Sequence, residues 1–291
     1  MNWRFMHTLT FFIFALLLLV TVLLKLPTGT EETITYFPKD EEASFKKTET
    51  EISLQNEPKQ KARLEWKVSS TLDRESYLRQ DVGLLYQDGR LLEILSKWSE
   101  KENSIQQEKF FEIVSPSYFQ AISFHHAELH ESQDGNITSV QATSEDSLYT
   151  IAEPNKKAFS FVEPQTEEET KWKENLDKNT YNFLRRSWNS AIRTKDIPIK
   201  NYTLYPLTEL PPVKGNAFPG LSMEKSQEVY GKLWEGLYRR YVLGIQTDVQ
   251  KKESPLGSTI PLIGVSKNND HLIVIIVTGT GESITLRQVI E

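Results

Sequence analysis

The residues of this chain with the clearest capacity for chemistry stand together in Phe124-His-His-Ala-Glu-Leu-His130. Side chains along a strand alternate between faces, so His126, Glu128 and His130 would project from one side of it. Two imidazole nitrogens and a carboxylate form a donor set suited to zinc or a similar ion, or to proton transfer. On a helix, a metalloprotease needs Glu directly after the first His, and Ala127 occupies that place. The ordinary alternative is that histidines on a half-buried strand hydrogen-bond their neighbours. His271 is the only other histidine outside the N-terminal stretch, so no matching ligand group stands out.

Other searches end sooner. The chain contains no G-x-S-x-G elbow, no G-x-x-x-x-G-K-[ST] phosphate loop and no G-x-G-x-x-G, so no cofactor is expected. Gly279-Thr-Gly281 opens like a dinucleotide fingerprint but leads into a strand pattern, which reads as a hairpin turn. With 40 acidic residues, choosing one carboxylate pair as a glycosidase site would be arbitrary. Arg185-Arg186 and Arg239-Arg240 could contact an anionic lipid or wall polymer, or simply lie on solvated helix faces. Asn136-Ile-Thr138 and Asn201-Tyr-Thr203 match the glycosylation sequon.

Composition narrows the function classes. A net charge of -6 with no basic stripe gives no reason to expect nucleic acid as a partner. The absence of cysteine removes disulfides, thiolate metal sites, a cysteine nucleophile and a lipid-attachment cysteine. Six Trp within 11% aromatics argue for a packed core over most of the length.

The N-terminus carries the strongest single signal. Residues 5 to 24 contain no Asp, Glu, Lys or Arg. Twenty helical residues rise about 30 Å, the thickness of a bilayer's hydrocarbon core. A short tail, 1–8, would precede a transmembrane anchor at 9–26. The exit, Lys25-Leu-Pro-Thr-Gly-Thr30, lacks an A-x-A-like cleavage pattern, which favours retention as a signal-anchor. Arg4 and the amino terminus before the helix, and acids after it, place the N-terminus inside, although Lys25 opposes this. Membrane lipid is then one partner, and the bulk of the chain is extracytoplasmic, in contact with the cell envelope.

Beyond the anchor, 27–60 reads as a polar tether, with Thr33-Ile-Thr-Tyr-Phe37 as a short strand that could join a later sheet. Residues 62–163 read as an antiparallel β meander: Leu64, Trp66 and Val68 alternate with polar neighbours, Asp88-Gly89 and Asp134-Gly135 mark hairpin turns, and Ile137 to Ala142 and Leu148 to Ile151 read as separate strands. Residues 165–291 read as two helices followed by a C-terminal antiparallel sheet. Thr166 and Glu169 form a capping box, after which Trp172, Leu176, Leu184, Trp188 and Ile192 recur at helical spacing. A second helix begins near Ser222 and carries Val229, Leu233 and Leu237 beside Tyr230 and Trp234. Gly231 and Gly236 within it suggest close packing against a sheet. The five prolines between 196 and 221 indicate a long structured connection. Leu272 to Val277, apolar throughout, predicts a central strand covered on both faces.

The expected fold class is α+β, the two halves forming one domain or two. The expected function is that of a membrane-anchored envelope protein, non-enzymatic, with a binding or accessory domain that meets an envelope protein or wall polymer. A metal-binding module or metal-dependent enzyme using His126, Glu128 and His130 is the alternative.

Overall fold

The computed structural model describes residues 34–56, 61–130, 136–153, 157–248 and 251–290. The apolar stretch at 5–24 and the Asp134-Gly135 turn lie outside the described residues. Among the described residues no helix is long and apolar enough to cross a membrane.

Among the described residues eight strands come first: β1 (Phe45–Gln55), β2 (Arg63–Leu72), β3 (Leu78–Gln87), β4 (Arg90–Glu100), β5 (Ser104–Glu112), β6 (Ser117–Leu129), β7 (Thr138–Ile151) and β8 (Phe159–Phe161). All pair antiparallel, but they divide into two sheets, ordered β1-β2-β5 and β4-β3-β6-β7-β8. Ile52, Leu64, Trp66 and Val68 of the smaller sheet share a core with Leu85, Phe119, Ala121 and Leu148 of the larger. The meander is therefore folded over on itself as a sandwich.

Two expectations are corrected here. The stretch read as a tether at 27–60 holds β1, and the chain from Ile34 onward belongs to the same compact unit as the C-terminus. Its polarity hid the strand: Thr50 and Ile52 point inward, Thr50 being 7% exposed because its hydroxyl finds partners inside the sandwich. Likewise β7 runs unbroken through Thr143-Ser-Glu-Asp-Ser147, where two separate strands were expected.

The turn at Asp88-Gly89 is as its sequence predicts. Both residues have positive φ, 51° and 81°, as a two-residue hairpin of the I′ kind requires. A methyl group on Gly89 would also meet the Leu184 side chain at 2.9 Å. Gly89→Ala is expected to lower stability by about 1–2 kcal/mol, measured by urea unfolding, from the left-handed backbone alone.

Helix α1 (Glu167–Thr194) begins at the predicted capping box: the Glu169 amide donates to Thr166 Oγ1 at 3.1 Å, and the Thr166 amide donates back to Glu169 Oε2 at 3.1 Å. Leu176, Leu184, Trp188 and Ile192 are buried. The first half of α1 is fastened to the sandwich by Tyr149, whose hydroxyl donates to Asp177 at 2.6 Å. Three 3-10 turns and strand β9 (Tyr202–Pro206) then occupy the proline-rich connection. Helix α2 (Met223–Leu237) is capped by Ser222 and continues through a π turn at Tyr238–Val242. A methyl group on Gly231 would collide with the Gln141 side chain of β7, so this glycine does permit close packing on the sheet, whereas Gly236 faces open space.

Strands β10 (Ile245–Asp248) and β11 (Lys251–Glu253) form a small hairpin. The last sheet is ordered β14-β13-β12-β9, from β12 (Leu262–Ser266), β13 (His271–Val277) and β14 (Ser283–Val289). Strand β13 is central and buried from Leu272 to Ile276, as its unbroken apolarity predicts. Strand β9 was concealed by the proline-rich connection around it; its one proline, Pro206, fits because β9 is an edge strand. One large core unites Val82, Leu84 and Phe124 of the sandwich with both helices and the last sheet. Trp234 of α2 stacks on Phe124 with ring centres 5.1 Å apart.

Candidate functional site

The histidine cluster lies on β6, and alternation sends its members to different surroundings. His126 is fully buried and approaches Glu128 at 3.5 Å, the outer limit of a hydrogen bond. His130 lies past the end of the strand, exposed, and stacks on Tyr77 with ring centres 3.7 Å apart. The three side chains are not brought together as a donor set. Among the described residues no group of three or more His, Asp or Glu side chains is placed to hold a metal ion. His271 is engaged elsewhere, between Tyr202 at 2.8 Å and Asp270 at 2.6 Å.

His125, which directly precedes His126, enters a polar network inside the sandwich that the sequence did not reveal. Its Nε2 lies 2.8 Å from Ser144 Oγ, and its Nδ1 lies 2.9 Å from Asp81 Oδ2. Carboxylate, imidazole and hydroxyl in that order resemble a hydrolase triad in distances. Three features make the arrangement structural. Asp81 stands out of line with the imidazole N–H, so Nδ1 has no directed hydrogen bond. Ser144 Oγ is also held by Thr50 Oγ1 at 2.6 Å, and Thr50 in turn donates to Ser123 at 2.6 Å. His125 and Asp81 are 0% exposed, so a substrate has no path to the base.

Arg79 completes this network. It shares a face of β3 with Asp81, is 0% exposed, and reaches Asp81 at 3.5 Å, the hydroxyl of Ser70 and the carbonyl of Asn103 at 2.9 Å. Burial pulls the guanidinium below its usual basicity, and the Asp81 carboxylate opposes that pull. The Phe45 ring lies 4.9 Å from the guanidinium and covers it. Ser70 also donates to Asp81 at 2.6 Å. Side chains or carbonyls from β1, β2, β3, β6, β7 and the β4–β5 turn thus meet at one charged knot, which joins the two sheets.

The surface offers a different kind of site. Between helix α1 and strand β14 lies an open groove of about 1030 Å³. Arg186 and Ser190 of α1, with Lys195 at its C-terminal cap, form one wall, and Ser283 to Leu286 of β14 form the other. Four successive strand residues line it, so the groove meets the edge of β14 and not one face only. That edge is unpaired: β14 is the last strand of its sheet, and among the described residues no strand adjoins its outer side. Half of its backbone N–H and C=O groups are therefore turned outward, a template for an added strand.

Helix geometry separates the two arginine pairs noted in the sequence. Arg186 and Arg240 line the groove. Arg185 instead covers the Tyr181 ring at 5.5 Å, and Arg239 pairs with Glu235 at 2.9 Å. Arg186 donates to the Asn182 carbonyl, and Arg240 to the Gln246 amide oxygen. No carboxylate is paired with Arg186, Lys195 or Arg240 among the described residues. Among the described residues Glu282 is the sole acid on the groove's lining.

Compared with known proteins, the chain matches no family model, no curated protein and no solved structure.

Proposed function

We propose that this chain is a non-enzymatic binding or accessory protein of the cell envelope, anchored by its N-terminal apolar segment, with the α1–β14 groove as its working face. The observation that carries the reading is the open edge of β14 facing a helix wall across the groove. An edge strand left bare is a standing hazard for unwanted pairing, and proteins ordinarily cover, shorten or bulge such edges. Here a seven-residue strand is left open beside a concave surface, as in domains that take a peptide between a helix and a sheet edge. The buried triad-like network gives no competing reason to assign hydrolysis, because it is spent on holding two sheets together. Its location rests on the charge-free stretch from residue 5 to 24.

The absence of cysteine makes a clean test available. In the full chain, Ser190→Cys should react with a membrane-impermeant maleimide on intact cells. A photo-crosslinking residue at Ser190 should give a discrete adduct, absent when the same group replaces Glu49 on the far sheet. Labelling only after permeabilisation removes the location, and equal adducts from both positions remove the groove.

A further inference from the structure

Resting on that reading of the groove, we infer that its occupant is an extended acidic peptide segment of a partner protein, which adds a fifth strand to the sheet at β14. Two independent observations select this ligand. The first is the outward row of backbone donors and acceptors on β14, which only another extended polypeptide matches along its length. A lipid headgroup or anionic wall polymer would satisfy the charges but leave that row unmatched. The second is the sign of the walls: among the described residues Arg186, Lys195 and Arg240 face the space without carboxylate partners, against the single acid Glu282.

Dimensions agree with a short motif. From Arg186 to Lys195 the helix advances nine residues, about 14 Å at the helical rise. An extended chain covers that distance in about four residues. Alternate side chains of the added strand would point toward α1, so acids at every second position would meet the cationic wall. Charges at such a rim govern selectivity and salt dependence more than total affinity. Backbone pairing supplies the attachment and the arginines select its sign.

The test uses the full-length chain in detergent and labelled seven-residue peptides of alternating Val and Glu, with matched Gln and Lys versions. Fluorescence anisotropy reads binding. The Glu peptide is expected to bind about tenfold or more tighter than the Gln peptide at low salt, with the gap closing as salt rises. Methylating alternate backbone amides of the peptide should abolish binding. Arg186→Glu combined with Arg240→Glu should transfer the preference to the Lys peptide, with an unchanged melting temperature showing that the fold survives. Equal binding of Glu and Gln peptides, both lost on amide methylation, overturns the acidic preference and leaves the groove reading standing. Binding unaffected by amide methylation, or displaced by soluble polyphosphate alone, overturns strand addition in favour of a polyanion. Self-association of the chain that Thr285→Pro abolishes overturns the proposal in favour of a second copy. Failure of every peptide to bind removes both the proposal and the groove reading.

Discussion

Raising the pH from 10 to 12 is expected to unfold this protein cooperatively, with tyrosine ionisation as the cause. Tyr230 and Tyr241 are buried in the main core, and burial pushes their hydroxyls from the ordinary 10.0 up to about 12. Tyr86 is raised by the same cause, and Tyr149 by burial and its bond to Asp177. An unfolded chain loses these protons near pH 10, while the folded chain keeps them. The stabilisation is complete below pH 10 and is withdrawn as pH climbs toward the folded values, at about 1.4 kcal/mol per pH unit for each tyrosine. For Tyr230 and Tyr241 alone, this amounts to about 5 kcal/mol by pH 12, on the scale of a domain's whole stability. Tyrosinate absorbance and circular dichroism followed together should show part of the tyrosinate appearing in step with loss of the fold. A complete, gradual ionisation near pH 10 with the fold intact would contradict the burial of these side chains.

Asp81→Ala is expected to lower stability by about 3–5 kcal/mol, because it leaves the Arg79 guanidinium buried without its counter-charge. Ser70 loses its acceptor and His125 its neighbouring carboxylate in the same step. Thermal and urea unfolding would measure the loss. Replacing both charges with apolar residues of similar bulk, Arg79→Met with Asp81→Leu, should recover most of it, since an ion pair removed whole leaves no orphaned charge. If the double variant were as unstable as the single one, the hydrogen bonds of the network, and not the charge pair, would be responsible.

Legibility followed the range of the interactions. The capping box of α1, the Asp88-Gly89 turn and the buried run at β13 each depend on residues within a few positions of one another, and each was readable. Strand β1 was not, because its inward Thr50 is polar and becomes a core residue only when Ser123 and Ser144 arrive from β6 and β7. Strand β9 was obscured by the prolines around it and by Pro206 within it, whose tolerance depends on the strand's place at a sheet edge. The sequence also pointed to a row of donors on β6 that the strand does not complete. His126, Glu128 and His130 have alternating spacing, but β6 ends at Leu129, so His130 leaves the row. His125, just before that row, gained its partners Asp81 of β3 and Ser144 of β7 from 44 and 19 residues away in the chain.

By itself, the sequence determined the α+β class, the helices with their caps, the tight turn and the central strand of the last sheet, because backbone preference and hydrophobic period act locally. The tertiary structure decided that the early strands split into a sandwich, that Arg79 and Asp81 are sealed within it, and that Arg186 and Arg240 face one groove while Arg185 and Arg239 do not. Those outcomes depend on which faces meet across large sequence separations. Burial and charge acquire their energetic meaning only once that meeting has occurred.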